Sequence, residues 1–325
     1  NYMGSSMRMS MFHKLLLLNF EKSNLKPEYW LRIDKISKEK ILIKADSPKV
    51  KTHLVTADCL LLKLGMGADR ALIDSMPNLK YIGMYGTGYG RIDAAYAKKK
   101  GITVCNIAGY ATEGVAEFVF AALLEHLREI TRAKTQVLSG DYSEASYTGT
   151  QIKGKTFGVI GLGRIGERVA EIASKGFGAN VLYWSRKQKK DAEKSGIKYT
   201  ELDTLLKISD VLSLHMSFNP ETKGFLNEKR IQLIKPKAII INTAPMELVN
   251  ITALEKRLKK GDITFILDHS DELDPAVAKR LSKFPNRILY PPIAYTTKEA
   301  TNLKQNIFIS NLENFLKSKP TNKVN

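Results

Sequence analysis

Short, continuous apolar runs alternate with segments of helical periodicity along most of this chain. Leu15–Phe20, Ile41–Ile43, Cys59–Leu62, Lys80–Met84 and Ile102–Cys105 form a first series of predicted strands, with helices expected at Pro27–Ile36 and Ala71–Ser75. One long helix is expected over Thr112–Thr131. The segment Ser139–Lys155 is rich in Gly, Ser, Thr and Tyr, lacks periodicity, and reads as an exposed connection or arm. A second series of strands follows at Thr156–Ile160, Val181–Tyr183, Val211–Leu214, Ala238–Ile241, Ile263–Leu267 and Arg287–Tyr290. Helices are expected between them at Gly166–Ser174, Glu201–Lys207, Lys229–Ile234 and Thr252–Lys259, and an amphipathic helix at Thr297–Leu316. The polar tail Lys317–Asn325 is expected to fray. Strand–helix alternation of this kind predicts an α/β fold with parallel sheets.

A length of 325 residues suggests two domains. With 43% hydrophobic and 26% charged residues the chain is an ordinary globular sequence, which excludes wholesale disorder. Cys59 and Cys105 are the only cysteines. They cannot make a disulfide scaffold and fit a reducing, cytoplasmic setting. No apolar run approaches the ~18–20 residues that span a bilayer, so no membrane partner is expected. The first residues lack a signal peptide's apolar region. Asn1–Ser10, with Gly4-Ser5-Ser6 and three Met, reads as an appended segment and is set aside.

The formal charge of +18 raises the question of nucleic acid. Of the 51 basic residues, 38 are Lys and 13 are Arg, whereas specific readers lean on Arg. The lysines are scattered without interleaved aromatics, the pattern of a solvated surface. Nucleic acid is therefore not an expected partner, and no metal is expected.

The run Gly158-Val159-Ile160-Gly161-Leu162-Gly163-Arg164-Ile165-Gly166 puts GxGxxG directly after a predicted strand and at the start of a predicted helix. Gly161 permits the tight turn, Gly163 lets the backbone approach a pyrophosphate, and Gly166 lets helix and strand pack closely. The helix N-terminus at Arg164 and Ile165 offers N–H groups and a positive dipole end to phosphate. In this context the motif predicts a dinucleotide. The next strand ends in Ser185-Arg186-Lys187 where an NAD site usually places a carboxylate for the ribose 2′-OH. A hydroxyl and a guanidinium suit a 2′-phosphate instead, so NADP is preferred over NAD. If these charges only solvate a strand end, NAD is the cofactor.

These motifs, in order, resemble the D-isomer-specific 2-hydroxyacid dehydrogenase family. The resemblance rests on Tyr85-Gly86-Thr87-Gly88-Tyr89-Gly90-Arg91-Ile92-Asp93, on Asn106–Glu117, on the glycine turn, on Leu214–Ser217 through Pro220–Thr222, on Ile241-Asn242-Thr243-Ala244, and on Leu267-Asp268. It implies two Rossmann-like or flavodoxin-like lobes. A substrate domain would comprise 1–106 and 294–325, and an NAD(P)-binding domain, 107–293, would be inserted into it with a cleft at the junction. It also implies a homodimer built on the cofactor lobes. By the same resemblance, Gly86, Thr87 and Gly88 would hold a substrate carboxylate and Thr112 would lie near the nicotinamide ribose. His215 would line the adenosine side, Thr243 would border the cofactor, and Asp268 would accept from the nicotinamide carboxamide.

The family's chemistry uses an Arg, an acid and a His, and the sequence departs from that pattern. Pro245 stands where the Arg is expected, after Asn242-Thr243-Ala244, and Pro292 where the His is expected. The acidic position falls on Leu273 without a gap and on Asp274 with one, with Asp271 and Glu272 nearby. Loss of a positioned acid costs about 10²–10⁴ in rate. Loss of a charge-assisted clamp costs about 2–4 kcal/mol of transition-state stabilisation. His269 and Tyr295 are the candidate substitute proton donors, with Glu247 a third; imidazole is the side chain suited to proton exchange near neutrality. Two readings follow: an oxidoreductase on a small oxo or hydroxy acid with an altered active site, or a dinucleotide-binding sensor or scaffold without turnover.

Overall fold

The computed structural model describes residues 10–325; Asn1–Met9 lie outside the described residues. The chain forms two compact units, one reaching to Tyr110 and completed by Lys298–Asn325, the other Ala111–Thr297.

The first unit holds five parallel strands: β1 (Phe12–Leu18), β2 (Ser37–Ile43), β3 (Cys59–Lys63), β4 (Tyr81–Tyr85) and β5 (Thr103–Cys105). Their order is β2-β1-β3-β4-β5. The central strands read as unbroken apolar runs because both faces are covered. Leu15, Leu16 and Leu17 of β1 and Leu60, Leu61 and Leu62 of β3 are fully buried. On one face, Phe12 stacks on Phe315, and Tyr85 meets Phe308 edge-on. Both phenylalanines come from the Lys298–Leu316 helix.

Three expectations are corrected in this unit. The first strand ends at Leu18 instead of Phe20, because Asn19 adopts φ +59° and turns the chain. β2 begins at Ser37 directly after the Pro27–Ile36 helix, four residues before the apolar run. It is an edge strand, so Lys38 and Glu39 can point into solvent without cost to the core. The tail does not fray. Val324 donates to the Val104 carbonyl at 2.9 Å, Lys323 bridges to Cys105, and the Asn325 side chain accepts from the Val104 N–H. β5 is the other edge, and the tail satisfies its open backbone groups.

The second unit carries seven parallel strands: β6 (Thr156–Ile160), β7 (Asn180–Trp184), β8 (Lys198–Tyr199), β9 (Val211–Leu214), β10 (Ile239–Asn242), β11 (Thr264–Leu267) and β12 (Arg287–Leu289). The order is β12-β11-β10-β9-β6-β7-β8. Connections from β6 run outward both ways, so the sheet reverses its winding between β6 and β9. The expected helix over Thr112–Thr131 stops at Arg128. Glu129 takes a left-handed conformation, φ +50°, and a new helix runs Ile130–Leu138. No Gly or Pro marks that break, so periodicity alone carried the expectation past it. Residues 139–155 form the irregular, largely exposed segment expected there. Among the described residues no helix is long and apolar enough to cross a membrane.

Candidate functional site

β6 delivers the chain to the glycine turn at the point where the winding reverses. Gly161 donates to the Trp184 carbonyl at 2.8 Å and turns the backbone at φ +93°. A Cβ on Gly161 would lie 2.8 Å from the His215 carbonyl oxygen at the end of β9. A Cβ on Gly166 would meet the Gly161 carbonyl oxygen at 2.1 Å, so helix Arg164–Glu171 packs directly on the turn. Gly163 differs, for a Cβ there would meet nothing within 4 Å. It is the N-cap of that helix, and no side chain caps the helix's first N–H groups. The turn thus presents open space in front of uncapped donors at a positive dipole end, a cradle that fits a pyrophosphate.

At the end of β7, the Ser185 hydroxyl donates to the Lys187 carbonyl at 2.6 Å and shapes the turn there. Its proton is committed locally. Arg186 and Lys187 are exposed and make no ion pair among the described residues.

His215 closes the β9 side. Its Nε2 lies 2.7 Å from the Ser213 hydroxyl, and burial pushes its pKa down to about 3, so the ring is neutral at physiological pH. Thr112 is the first residue of helix Thr112–Arg128 and is half-buried.

Thr243 and Asp268 each stand one residue beyond the paired Asn242 and Leu267, at neighbouring ends of β10 and β11. Asp268 Oδ1 accepts from the N–H groups of Ile293 and Ala294, both at 3.0 Å. Its Oδ2 is buried and accepts no hydrogen bond, and the buried Thr243 hydroxyl is likewise without a partner. Burial raises the Asp268 carboxyl above the ordinary range, against the pull of the two N–H donors. Two buried polar atoms without a hydrogen bond at adjacent strand ends, one of them 3.6 Å from His269 Nε2, fit a polar amide. Asp268→Ala is expected to strand both N–H groups, at about 1–3 kcal/mol each. Asp268→Asn keeps an acceptor for them and should melt near the wild type. Thermal unfolding of the two variants checks this, and equal melting temperatures would refute the assignment.

The residues after β11 form the remaining cluster. His269 Nε2 lies 3.6 Å from Asp268 Oδ2, and Nδ1 lies 3.8 Å from Asp271 and 4.0 Å from Glu272. The Tyr295 ring stacks on the imidazole at a centroid distance of 6.3 Å and an interplanar angle of 15°. Burial raises the Tyr295 phenol, and Asp271 and Asp268 add to the effect. The structure therefore brings both candidate proton donors together. It also brings in Glu272, which sequence reasoning had noted only as nearby. Glu272 Oε2 accepts from the Met246 N–H at 2.8 Å, tying the loop after β10 to the loop after β11. Burial raises its carboxyl as well. Its only sequence signal was a carboxylate four residues past Asp268. Asp274 caps helix Pro275–Leu281 through Ala276, and Leu273 is buried. Pro245 begins the short turn Met246–Leu248 and, like Pro292, has no donor to offer.

In the first unit, Gly86, Thr87 and Gly88 follow β4. Thr87 donates from its hydroxyl to Ile107 at 2.8 Å, and Asn106 donates to the Thr87 carbonyl at 2.7 Å. These bonds fix the turn. The N–H groups of Thr87 and Gly88 donate to no described residue.

Residues 120–294 match the family model described as D-isomer specific 2-hydroxyacid dehydrogenase, NAD binding domain. A glyoxylate reductase from Thermococcus litoralis is 38% identical over 278 residues, covering 82% of this chain and 83% of that one. The solved D-lactate dehydrogenase from Aquifex aeolicus, complexed with NAD and lactic acid, has a TM-score of 0.83 at 29% identity, over 94% of this chain and 96% of that one. An acyclic imino acid reductase (Bsp5), solved with NADPH and D-Arg, has a TM-score of 0.83 at 28% identity, over 96% of this chain and all of that one. The chain belongs to the D-isomer specific 2-hydroxyacid dehydrogenase family and carries its NAD-binding domain.

Proposed function

We propose that this family member reduces a small 2-oxo acid, glyoxylate being the first candidate, with NADPH as cofactor and with a rebuilt proton-donor group. The observation that carries the reading is the intact dinucleotide cradle: the open space at Gly163 together with the orphaned oxygens of Thr243 and Asp268. The likeness to a glyoxylate reductase supplies the substrate class.

The cofactor, when bound, supplies hydride to the carbonyl carbon. The first turn of helix Arg164–Glu171 would hold its pyrophosphate, and Thr243 and Asp268 would accept and offer hydrogen bonds to its carboxamide. Reduction also needs a proton for the developing alkoxide. His269 is the group placed to supply it: its ring nitrogens lie 3.6–4.0 Å from the carboxylates of Asp268, Asp271 and Glu272. Tyr295 keeps the ring in plane by stacking. The test is a screen of 2-oxo acids with NADPH and NADH, followed at 340 nm; oxidation of neither cofactor with any of them would overturn the reading.

NADP preference rests on Arg186 and Lys187, and the imino acid reductase solved with NADPH is a precedent within the fold. Arg186→Ala with Lys187→Ala should weaken NADPH binding by roughly 10–100-fold, as expected for two charge-assisted contacts, and leave NADH within a few-fold. Fluorescence titration reads both. Equal losses for the two cofactors would return the assignment to NAD.

A second reading is favoured by Pro245 and Pro292: a dinucleotide-binding sensor or scaffold without turnover. It expects NADPH to bind while the screen stays silent, and Pro245→Arg with Pro292→His to bring activity in.

A further inference from the structure

A lysine sits in an unusual place in the first unit. Lys304 lies on the Lys298–Leu316 helix, next to the buried Gln305 and one turn before the buried Phe308. A lysine there would ordinarily run its ammonium out to water. Instead its Nζ stands 4.1 Å from the centroid of the Tyr85 ring and 5.3 Å from that of Tyr110. The position is half-buried.

The surroundings point to an anion. Tyr85 is the last residue of β4 and directly precedes the Gly86–Gly88 turn. Its strand partner is Lys63, the last residue of β3. Lys63 and the Gly86–Gly88 turn thus stand at the carboxyl ends of two adjacent parallel strands, and Lys304 lies over the ring of Tyr85, the residue that ends one of them. In an open sheet of order 2-1-3-4-5 that is the end at which ligands bind. Two cations and two backbone donors suit the two oxygens of a small carboxylate.

We propose that Lys304 is the cation that holds the substrate carboxylate, together with the backbone donors of the Gly86–Gly88 turn. The inference rests on the 2-oxo acid reading above and assigns a residue to it. Titration agrees with the geometry. Burial, reinforced by the positive charge of Lys63, lowers the Lys304 pKa to about 8. Titratable groups near it include Tyr85 on β4, raised to about 12 by burial, and Tyr110 after β5, while Tyr29 and Lys26 reach the same helix at Asn302. An ammonium poised there holds a carboxylate below about pH 8 and releases it as the pH rises through that value.

The experiment uses the full chain with NADPH bound and oxamate, a non-reducible carboxylate, as the probe. Lys304→Met keeps a long side chain over Tyr85 and removes the charge; Lys304→Arg keeps the charge. Lys304→Met should weaken oxamate binding roughly 10–100-fold, and Lys304→Arg should recover most of it, with NADPH affinity equal in all three proteins. Oxamate binding to the wild type should fall above about pH 8 and stay flat in Lys304→Arg. For a turned-over oxo acid, KM should rise far more than kcat falls. Unchanged oxamate affinity in Lys304→Met, or no oxamate binding by the wild type, overturns the inference. If oxamate binds through Lys304 but no oxo acid is reduced, the reductase reading fails and this assignment stands.

Discussion

His269→Ala is expected to lower kcat for the reduced oxo acid by about 10²–10⁴, the usual loss when a positioned acid is removed. The affinity for NADPH should change far less than kcat, because the imidazole carries no assigned cofactor contact of its own and only neighbours Asp268 Oδ2 at 3.6 Å. Tyr295→Phe should cost far less, since the ring that stacks on His269 remains. The asymmetry is the discriminating feature. A structural role for His269 would lower the melting temperature and leave the turnover of the folded fraction intact. Stopped-flow single-turnover rates beside calorimetric melts separate the two. An unaltered kcat in His269→Ala would move the proton source to Tyr295, Glu272 or water.

The second large effect is at the glycine turn. Gly166→Ala puts a methyl where the Gly161 carbonyl oxygen already stands, 2.1 Å away. The obstacle is backbone, so no rotamer change relieves it, and helix Arg164–Glu171 must shift off the turn. Overpacking of this kind costs about 1–3 kcal/mol or more. In a unit of this size that lowers the melting temperature by roughly 2–12 °C. Dinucleotide affinity should fall by roughly 100-fold or more, because the shifted N–H groups no longer converge on one pyrophosphate. Gly163→Ala is the control with the opposite signature. Its methyl meets nothing within 4 Å, so the melt should be unchanged while the methyl intrudes where the cofactor would lie. If Gly163→Ala binds NADPH as tightly as the wild type, the space in front of Gly163 is not the pyrophosphate site.

Much of the fold was legible in the chain. The central strands β1, β3 and β10 carry the apolar runs Leu15–Leu18, Cys59–Leu62 and Ile239–Ile241 because both faces are buried there, and such runs stand out against amphipathic helices. The edges were harder to read. The polar start of β2 and the two-residue β8 lie where a strand answers to no core on one side. The return of the tail along β5 joins backbone hydrogen bonds to a single side chain, Asn325, and neither leaves a periodic pattern in the sequence. The break at Glu129 was invisible for a related reason: the left-handed turn is taken by a residue type that seldom adopts it.

The site divides in the same way. The glycine turn, the Ser185-Arg186-Lys187 strand end, Asp268 and the two prolines were all readable, because each expresses a local requirement: space, charge or the absence of a donor. No sequence pattern announced that Tyr295 stacks on His269 from 26 positions away, that Glu272 holds the Met246 N–H, or that Lys304 lies over Tyr85. Those meetings depend on which strands are neighbours and where their ends fall. By itself the sequence determined the parallel α/β architecture and the dinucleotide turn, since hydrophobic periodicity and backbone sterics act within a few residues. Only the tertiary structure decided which side chains gather at the strand ends. Proximity between distant segments is set by sheet order and packing, and no short stretch of chain encodes it.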